Sequence, residues 1–224
     1  MIFDRLAIGT ANWGKRYNGA KVSEDDQKRI LDYAQCSGID MIDTASAYKN
    51  NIFEMANNYF EIVDKGDDTC QRRDRDVYGY LSHGMIWEVF HERILGVPRL
   101  GLSIYEPKEI PKFGTFGVPV ADIIQVPYSL FNRRFEPYFQ KLKEDNIEIH
   151  VRSVFLRGKI IQAGVEPWKC IAFCLMNPFI SRVIIGADSY KQFKDNLRPF
   201  HRMDVMKKED ENLLDPRKWG KEEK

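Results

Sequence analysis

The sequence predicts one closed barrel in which eight parallel strands alternate with helices. Short apolar segments alternate with amphipathic ones along the whole chain. Most of those segments are apolar throughout rather than at every second residue, as strands covered on both faces are. Polar side chains stand repeatedly where the segments end, which is where barrel enzymes gather their sites. An open doubly wound sheet is the competing architecture. Its dinucleotide-binding form needs Gly-x-Gly-x-x-Gly after the first strand, and no such run follows Leu6–Gly9.

Strands are expected at Leu6–Gly9, Ile39–Asp43, Glu61–Val63, Val77–Ser82, Arg99–Ile104, Asp122–Pro127, Ile147–Arg152 and Arg182–Gly186. Ser23 reads as a helix N-cap with Asp26 three positions on, and Ile30, Leu31 and Ala34 form the apolar stripe behind it. Further helices are expected at Phe53–Tyr59, Ile86–Ile94, Phe135–Asp145, Pro167–Leu175 and Ser189–Leu197. The chain has 224 residues, where a usual barrel takes about 250. The barrel is therefore compact, with shortened helical segments: the charged stretch after Lys65 and the segment after the seventh strand both read as pruned. Residues 1–206 form the barrel in this reading, and 207–224 a loose, charged C-terminal tail.

Composition narrows the function. With 34 basic and 33 acidic residues, no excess of positive charge is available to neutralise phosphates, so nucleic acid is not expected as the partner. No 18-residue apolar run suggests a membrane span, and Asp4 and Arg5 break the N-terminus too early for a secretory signal. The cytoplasm is the expected compartment. Cys36, Cys70, Cys170 and Cys174 are read as buried, reduced thiols; the last two share a helix face, and no second close pair completes a zinc site.

At the strand ends stand Gly9-Thr10-Ala11-Asn12-Trp13, Asp43 with Tyr48 beyond it, Asp64-Lys65, Ser82-His83, Ser103, Gln125, Arg152-Ser153 and Gly186-Ala187-Asp188-Ser189. Asp43, Tyr48, Lys65 and His83 thus converge on one mouth. A phenol ionises near pH ~10 and is a poor acid at neutrality. A neighbouring ammonium lowers that value by stabilising phenolate, and a carboxylate keeps the ammonium charged and placed. The imidazole orients the substrate oxygen. Such a set protonates an oxygen while hydride reaches the adjacent carbon. Taken singly, Asp43 is as readily a turn cap, Tyr48 a rim aromatic, Lys65 a solvated charge and His83 a satisfied strand-end histidine; together they carry more weight.

The stretch GIDMIDTASAY resembles the Asp-Thr-Ala…Tyr motif of the aldo/keto reductases. LAIGTANWG, EIVDK, VYGYLSH, LGLSIYEPKEI, IIQVPYSLFNRR, VRSVFLRG and VIIGADSYKQFKDNL resemble that family's successive strands and strand-end loops, in its order. The resemblance implies a metal-free NAD(P)H-dependent reductase of small aldehydes or ketones, a sugar-derived carbonyl among the candidates. It carries over Tyr48 as general acid, Lys65 as its modulator, Asp43 as partner to Lys65 and His83 as ligand of the substrate oxygen. Gly9, Thr10, Ala11 and Asp43 would border the cofactor. Ser103 and Gln125 would hold the nicotinamide carboxamide, with Arg152 stacked on the ring. Ser153, Leu156 and Gly158 would follow the pyrophosphate, and Gly186, Asp188, Ser189, Gln192 and Asn196 the adenosine end.

Three positions depart from the family's pattern. Ile104 follows Ser103 where an Asn is common, which removes one carboxamide contact. Asp64 adds a carboxylate beside Lys65 and would draw the ammonium from Tyr48. Asp188 stands where NADPH-preferring members carry a basic residue, so NADH is a second expectation beside NADPH, although Lys191 and Arg198 are near in sequence. Two alternatives remain: a cofactor-binding, catalytically weak relative with a sensor or interaction role, and an unrelated barrel isomerase using Asp43 and His83 on a metal. Trp13, Tyr17, Trp87 and Tyr128 are candidates for an aromatic substrate pocket, with core packing the equally plain reading.

Overall fold

Every strand pairs in parallel with its neighbour in sequence, and the eighth closes on the first. The computed structural model describes residues 2–16, 21–66, 77–83, 98–110 and 121–213, with the backbone alone for 202–213. The strands are β1 (Leu6–Gly9), β2 (Met41–Asp43), β3 (Glu61–Gly66), β4 (Gly79–Ser82), β5 (Leu100–Ser103), β6 (Ile123–Pro127), β7 (Glu148–Arg152) and β8 (Arg182–Ile185). All eight fall within or across the expected segments. β3 runs on beyond Val63 to Gly66, because Lys65 and Gly66 pair with Leu81 and Ser82 of β4. Lys65 therefore stands on a strand rather than in a loop.

The helices are α1 (Glu24–Ser37), α2 (Ile52–Met55), α3 (Glu136–Glu144), α4 (Lys159–Gln162), α5 (Pro167–Met176) and α6 (Tyr190–Leu213). Ser23 caps α1 by accepting the Asp26 N–H at 3.1 Å, and Gly38 ends it in the left-handed conformation. Ile30, Leu31 and Ala34 are buried, as the stripe predicts. The expected helix at Phe53–Tyr59 is one turn, α2, ended where Ala56 takes an extended conformation. α4 has no counterpart in the sequence reading; with α5 it fills the segment after β7 that reads as pruned. α6 continues past Lys207, where a loose tail is expected, to Leu213. The helix expected at Ile86–Ile94, the charged stretch 67–76, Tyr17, Trp87 and Cys70 lie outside the described residues.

Two apolar layers result. Outside the barrel, Ile8, Ile42, Ile124, Ile149 and Ile185 pack with Leu31, Phe139, Ile171 and Leu197 of the helices. Inside it, Ala7, Met41, Val63, Leu81, Ile123 and Ile184 form a separate plug. Gly101 of β5 belongs at that level because a Cβ there would lie 2.2 Å from the Ile123 carbonyl oxygen. Below the plug, Arg182 donates to Asp40 at 2.8 Å, and Glu148 accepts from Tyr78 at 2.7 Å with His150 3.2 Å away. The plug and this ionic floor leave the opposite rim as the open end.

Trp13 and Tyr128 are core residues, so of the four aromatics considered for a substrate pocket these two serve packing. Cys170 and Cys174 are buried, and burial pushes the Cys174 thiol up to about 12, which makes it inert. Cys36 is exposed, against expectation. Among the described residues no helix is long and apolar enough to cross a membrane.

Candidate active site

The parallel register brings the strand ends to one level. Gly9 pairs with Asp43, Asp43 with Val63, Gly66 with Ser82 and Ser103 with Gln125. On β2, β3 and β6 the residues two before the strand-end polar groups, Met41, Val63 and Ile123, point the same way, into the plug. Asp43, Lys65 and Gln125 therefore stand directly above apolar neighbours, in one polar layer with Ser103 and Arg152.

At its centre Lys65 is 2% exposed, and its Nζ lies 2.5 Å from Asp43 Oδ2. Asp43 Oδ1 accepts from Gln125 Nε2 at 2.7 Å, and Gln125 Oε1 accepts from Lys65 at 3.2 Å. These three side chains close a ring. Asp43 does not cap the turn after β2 with its carboxylate; its backbone oxygen holds that turn by accepting from the Thr10 N–H and hydroxyl. Asp64 does not draw the ammonium away. Alternation points it to the other face, where its Oδ1 accepts the Lys65 backbone N–H at 2.9 Å. Burial pulls Lys65 toward neutrality, but Asp43 and Tyr48 outweigh it, and its pKa lies above the ordinary lysine value. The amine stays charged.

Tyr48 closes a 3₁₀ turn, Ser46–Tyr48, and is half-buried. Gly14 seats this turn: a Cβ there would lie 2.2 Å from the Lys49 carbonyl oxygen, so only glycine allows the β1 loop to press so closely. The Lys65 ammonium lies 5.6 Å from the Tyr48 ring centre. Burial raises the Tyr48 pKa; the charge and hydrogen bond of Lys65, and the charge of Arg152, oppose it without reversing it. The sequence expectation of a lowered phenol is thus corrected. Desolvation wins, and Tyr48 stays protonated at neutral pH, the form that a proton donor must have.

His83 is exposed, with Nδ1 3.2 Å from the Ser103 carbonyl oxygen. A carbonyl only accepts, so Nδ1 carries the proton and Nε2 is left for a ligand. The Arg152 guanidinium lies 4.2 Å from the Tyr105 ring centre, and His83 stacks on the same ring at 6.3 Å. Arg152 also donates to Ser103 Oγ at 3.4 Å and to the Ile104 carbonyl at 3.2 Å. One face of the guanidinium is thus already taken by Tyr105.

Gly9 ends β1 and Thr10 and Ala11 follow it at the rim, with Thr10 buried and bonded to Thr44. After β7, Ser153, Leu156, Arg157 and Gly158 all have positive φ. Such a succession can turn backbone N–H groups toward an anion. Gly158 has open space where a Cβ would stand, and Gly186 only the Gly9 carbonyl oxygen at 3.7 Å. Ser189 caps α6, accepting the Gln192 N–H at 3.2 Å, and Gln192 Oε1 accepts the Asp188 N–H at 2.6 Å. Asp188 Oδ1 accepts from Asn12 at 2.8 Å, while Asn196 is buried. A groove of about 680 Å³ beside this end is lined by Arg29, Lys191, Lys194 and Arg198 with Asp26 and Asp195.

Three contributors escape the sequence reading. Asn50 ties Thr10 to Thr44 and so joins the two loops around Tyr48. Tyr105 unites His83 and Arg152. Asn12 holds Asp188. All three act across strands far apart in sequence, which no local spacing reveals.

No protein-family profile matches the chain, and no curated protein does. Solved structures do. A protein of Pseudomonas aeruginosa assigned to the aldo-keto reductases superposes with a TM-score of 0.66 at 18% identity, over 87% of this chain and 88% of that one. The holo form of an aldo-keto reductase from Bacillus halodurans gives 0.64 at 19% identity, over 87% and 85%. The chain shares the closed eight-stranded parallel barrel of these structures. That fold places the ends of β1 to β8 around one rim, and the polar layer described above occupies it here.

The Asp43–Lys65 pair has a measurable cost of disruption. Lys65→Met leaves a buried carboxylate whose charge is unpaired, and urea unfolding should show a loss of about 3–5 kcal/mol. Adding Asp43→Leu should recover much of it. The Lys65 contribution is complete below the ordinary lysine range and fades as pH rises through its raised pKa. A loss under about 1 kcal/mol, typical of exposed pairs, would contradict the buried placement.

Proposed function

We propose that the chain is an aldo-keto reductase: an oxidoreductase that reduces a small aldehyde or ketone to an alcohol at the expense of a reduced nicotinamide dinucleotide. One observation carries the reading. A charged lysine is buried against a carboxylate directly beside a protonated phenol. A solvated surface lysine would not be placed so, and a metal site would leave the carboxylate free for its ion rather than spend both oxygens on Lys65 and Gln125. Among the described residues no three His, Cys, Asp or Glu side chains gather to hold a metal.

The rim suits the cofactor chemically. The left-handed turn after β7, the open space at Gly158 and Gly186 and the exposed cations Arg157 and Lys159 offer a cradle to a pyrophosphate. The N-terminus of α6 favours a further anion or a ribose. When bound, a reduced nicotinamide supplies a hydride. The chain's own residues do the rest. Tyr48 donates its proton to the substrate oxygen. Lys65 stabilises the phenolate left behind, because its charge is already in place and needs no reorganisation. Asp43 keeps Lys65 charged. His83 presents Nε2 to the same oxygen. Solvent at the rim then restores the Tyr48 proton.

Asp188 bears on which dinucleotide is used. Its carboxylate is exposed at the adenosine end, a good acceptor for a ribose 2′-hydroxyl and repulsive to a 2′-phosphate. Lys191, the nearest cation in sequence, is partly spent on Asp195 at 2.6 Å. Asp188 favours NADH, while Arg29, Lys194 and Arg198 around the neighbouring groove favour the 2′-phosphate of NADPH.

Titration with NADH and NADPH, followed by tryptophan fluorescence, should show saturable binding, and an aldehyde panel should then show turnover. Tyr48→Phe should lower turnover by at least the 10²–10⁴-fold that a general acid contributes, with cofactor affinity nearly unchanged. Unaffected turnover would remove Tyr48 as the acid, and absence of binding to either nucleotide would remove the whole reading. Asp188→Lys should move the ratio of the two affinities toward NADPH by about tenfold, worth about 1.4 kcal/mol. An unmoved ratio would detach Asp188 from cofactor choice.

A further inference from the structure

We infer that Asn12 is a positioning residue for the choice of dinucleotide: it pins the Asp188 carboxylate at the adenosine end and makes it a fixed rather than a yielding charge. Asn12 lies in the loop after β1 and is buried. Its Nδ2 donates to Asp188 Oδ1 at 2.8 Å and to the Ala187 carbonyl oxygen at 3.1 Å. Carbonyl and carboxylate oxygens only accept, so the amide has one orientation, and both Nδ2 protons are spent on the loop after β8. The backbone of Asn12 is held independently. Its carbonyl oxygen accepts from the N–H of buried Val22 at 3.0 Å, next to the cap of α1. The clamp is thus anchored on one side of the seam between β1 and β8 and grips the other.

A carboxylate held in this way has two unlike oxygens. Oδ1 faces Asn12. Oδ2 has no hydrogen bond or ion pair among the described residues, and Asp188 is exposed. The backbone N–H of Asp188 is tied as well, donating to Gln192 Oε1 at 2.6 Å. Main chain and side chain are both fixed, and one oxygen is left over as an acceptor for a ribose hydroxyl. An exposed aspartate without such a hold turns between staggered rotamers. It would swing away from an approaching 2′-phosphate at little cost. Here Asp188 must first break a charge-assisted hydrogen bond and leave a buried amide proton without its acceptor.

Opposed charges meet at this end. Arg29, Lys194 and Arg198 around the neighbouring groove attract a 2′-phosphate, and the Asp188 carboxylate repels it. Long cationic side chains adapt to either nucleotide. Discrimination by repulsion needs a group that stays in place. Asn12 supplies that fixity, from a strand end at the other end of the sequence.

The inference rests on the reductase reading of the rim, and its test separates the two. Dissociation constants for NADH and NADPH are measured by tryptophan fluorescence in the parent chain, in Asn12→Leu, in Asp188→Ala and in the double variant. Asn12→Leu keeps the bulk of the buried side chain and removes its donors. It should move the ratio of the two constants toward NADPH by about fivefold, the worth of roughly one hydrogen bond. In the Asp188→Ala background the same substitution should leave the ratio within about twofold. General damage to the β1 loop weakens both nucleotides alike and cancels in the ratio, so a merely structural asparagine would not give this pattern. Asn12→Ala serves if the Leu variant does not fold. A shift under about twofold in the single variant overturns the inference, and so does an equal shift with and without the Asp188 carboxylate. If the parent chain binds neither nucleotide, the reductase reading fails and the inference falls with it; binding with an unmoved ratio sinks the inference alone.

Discussion

A single buried ion pair organises the open end of this barrel. Lys65 and Asp43 meet at 2.5 Å above an apolar plug, almost without access to water. Removing two charges from water costs several kcal/mol each, and the close contact of the pair, with further bonds to both partners, offsets that cost. Gln125 meets Asp43 on one side and Lys65 on the other. Ser103 and Arg152 continue the chain of hydrogen bonds toward the rim. The pair is therefore a constraint on four strands at once. β2, β3, β5 and β6 must keep register, or the charges lose their partners.

Such a pair contributes little to stability compared with an apolar replacement of the same shape, so its presence points to use. The use that the geometry supports is electrostatic. A charge fixed before reaction stabilises a developing phenolate without the cost of turning solvent. Burial holds the resting phenol protonated, and the ammonium, by favouring phenolate, offsets only part of that rise. The net shift is upward, whereas the residue types alone suggest a lowered phenol.

Much of the barrel was legible in the sequence. Apolar runs such as Ile123 to Val126 announce strands buried on both faces, and Ser23 with the stripe Ile30, Leu31 and Ala34 announces α1. Asp43, Lys65 and His83 could be placed on one rim because each stands at a strand end, with Tyr48 in the turn five residues past Asp43. What stayed hidden was whatever depends on which way a side chain turns. Asp64 and Lys65 are adjacent, and only strand alternation, set by the extension of β3 to Gly66, sends one into the site and the other away. No local spacing tells that the amide of Gln125 bridges Asp43 and Lys65. Trp13 and Tyr128 look like pocket aromatics until the packing buries them. α2 stops after one turn although Ala56, Tyr59 and Phe60 continue the apolar spacing: Ala56 turns extended and the Asn57 side chain takes the Tyr59 N–H instead.

The central claim is that the ammonium of Lys65 acts directly on the phenol of Tyr48, and ionisation of that one phenol tests it most directly. A fluorinated tyrosine placed at position 48 reports its own ionisation by fluorine NMR as pH is raised, in the parent chain and with Lys65→Met. The account predicts a midpoint above that of the free fluorinated residue in the parent chain, and a midpoint higher still once the ammonium is gone. A midpoint that does not move on losing Lys65 would contradict it.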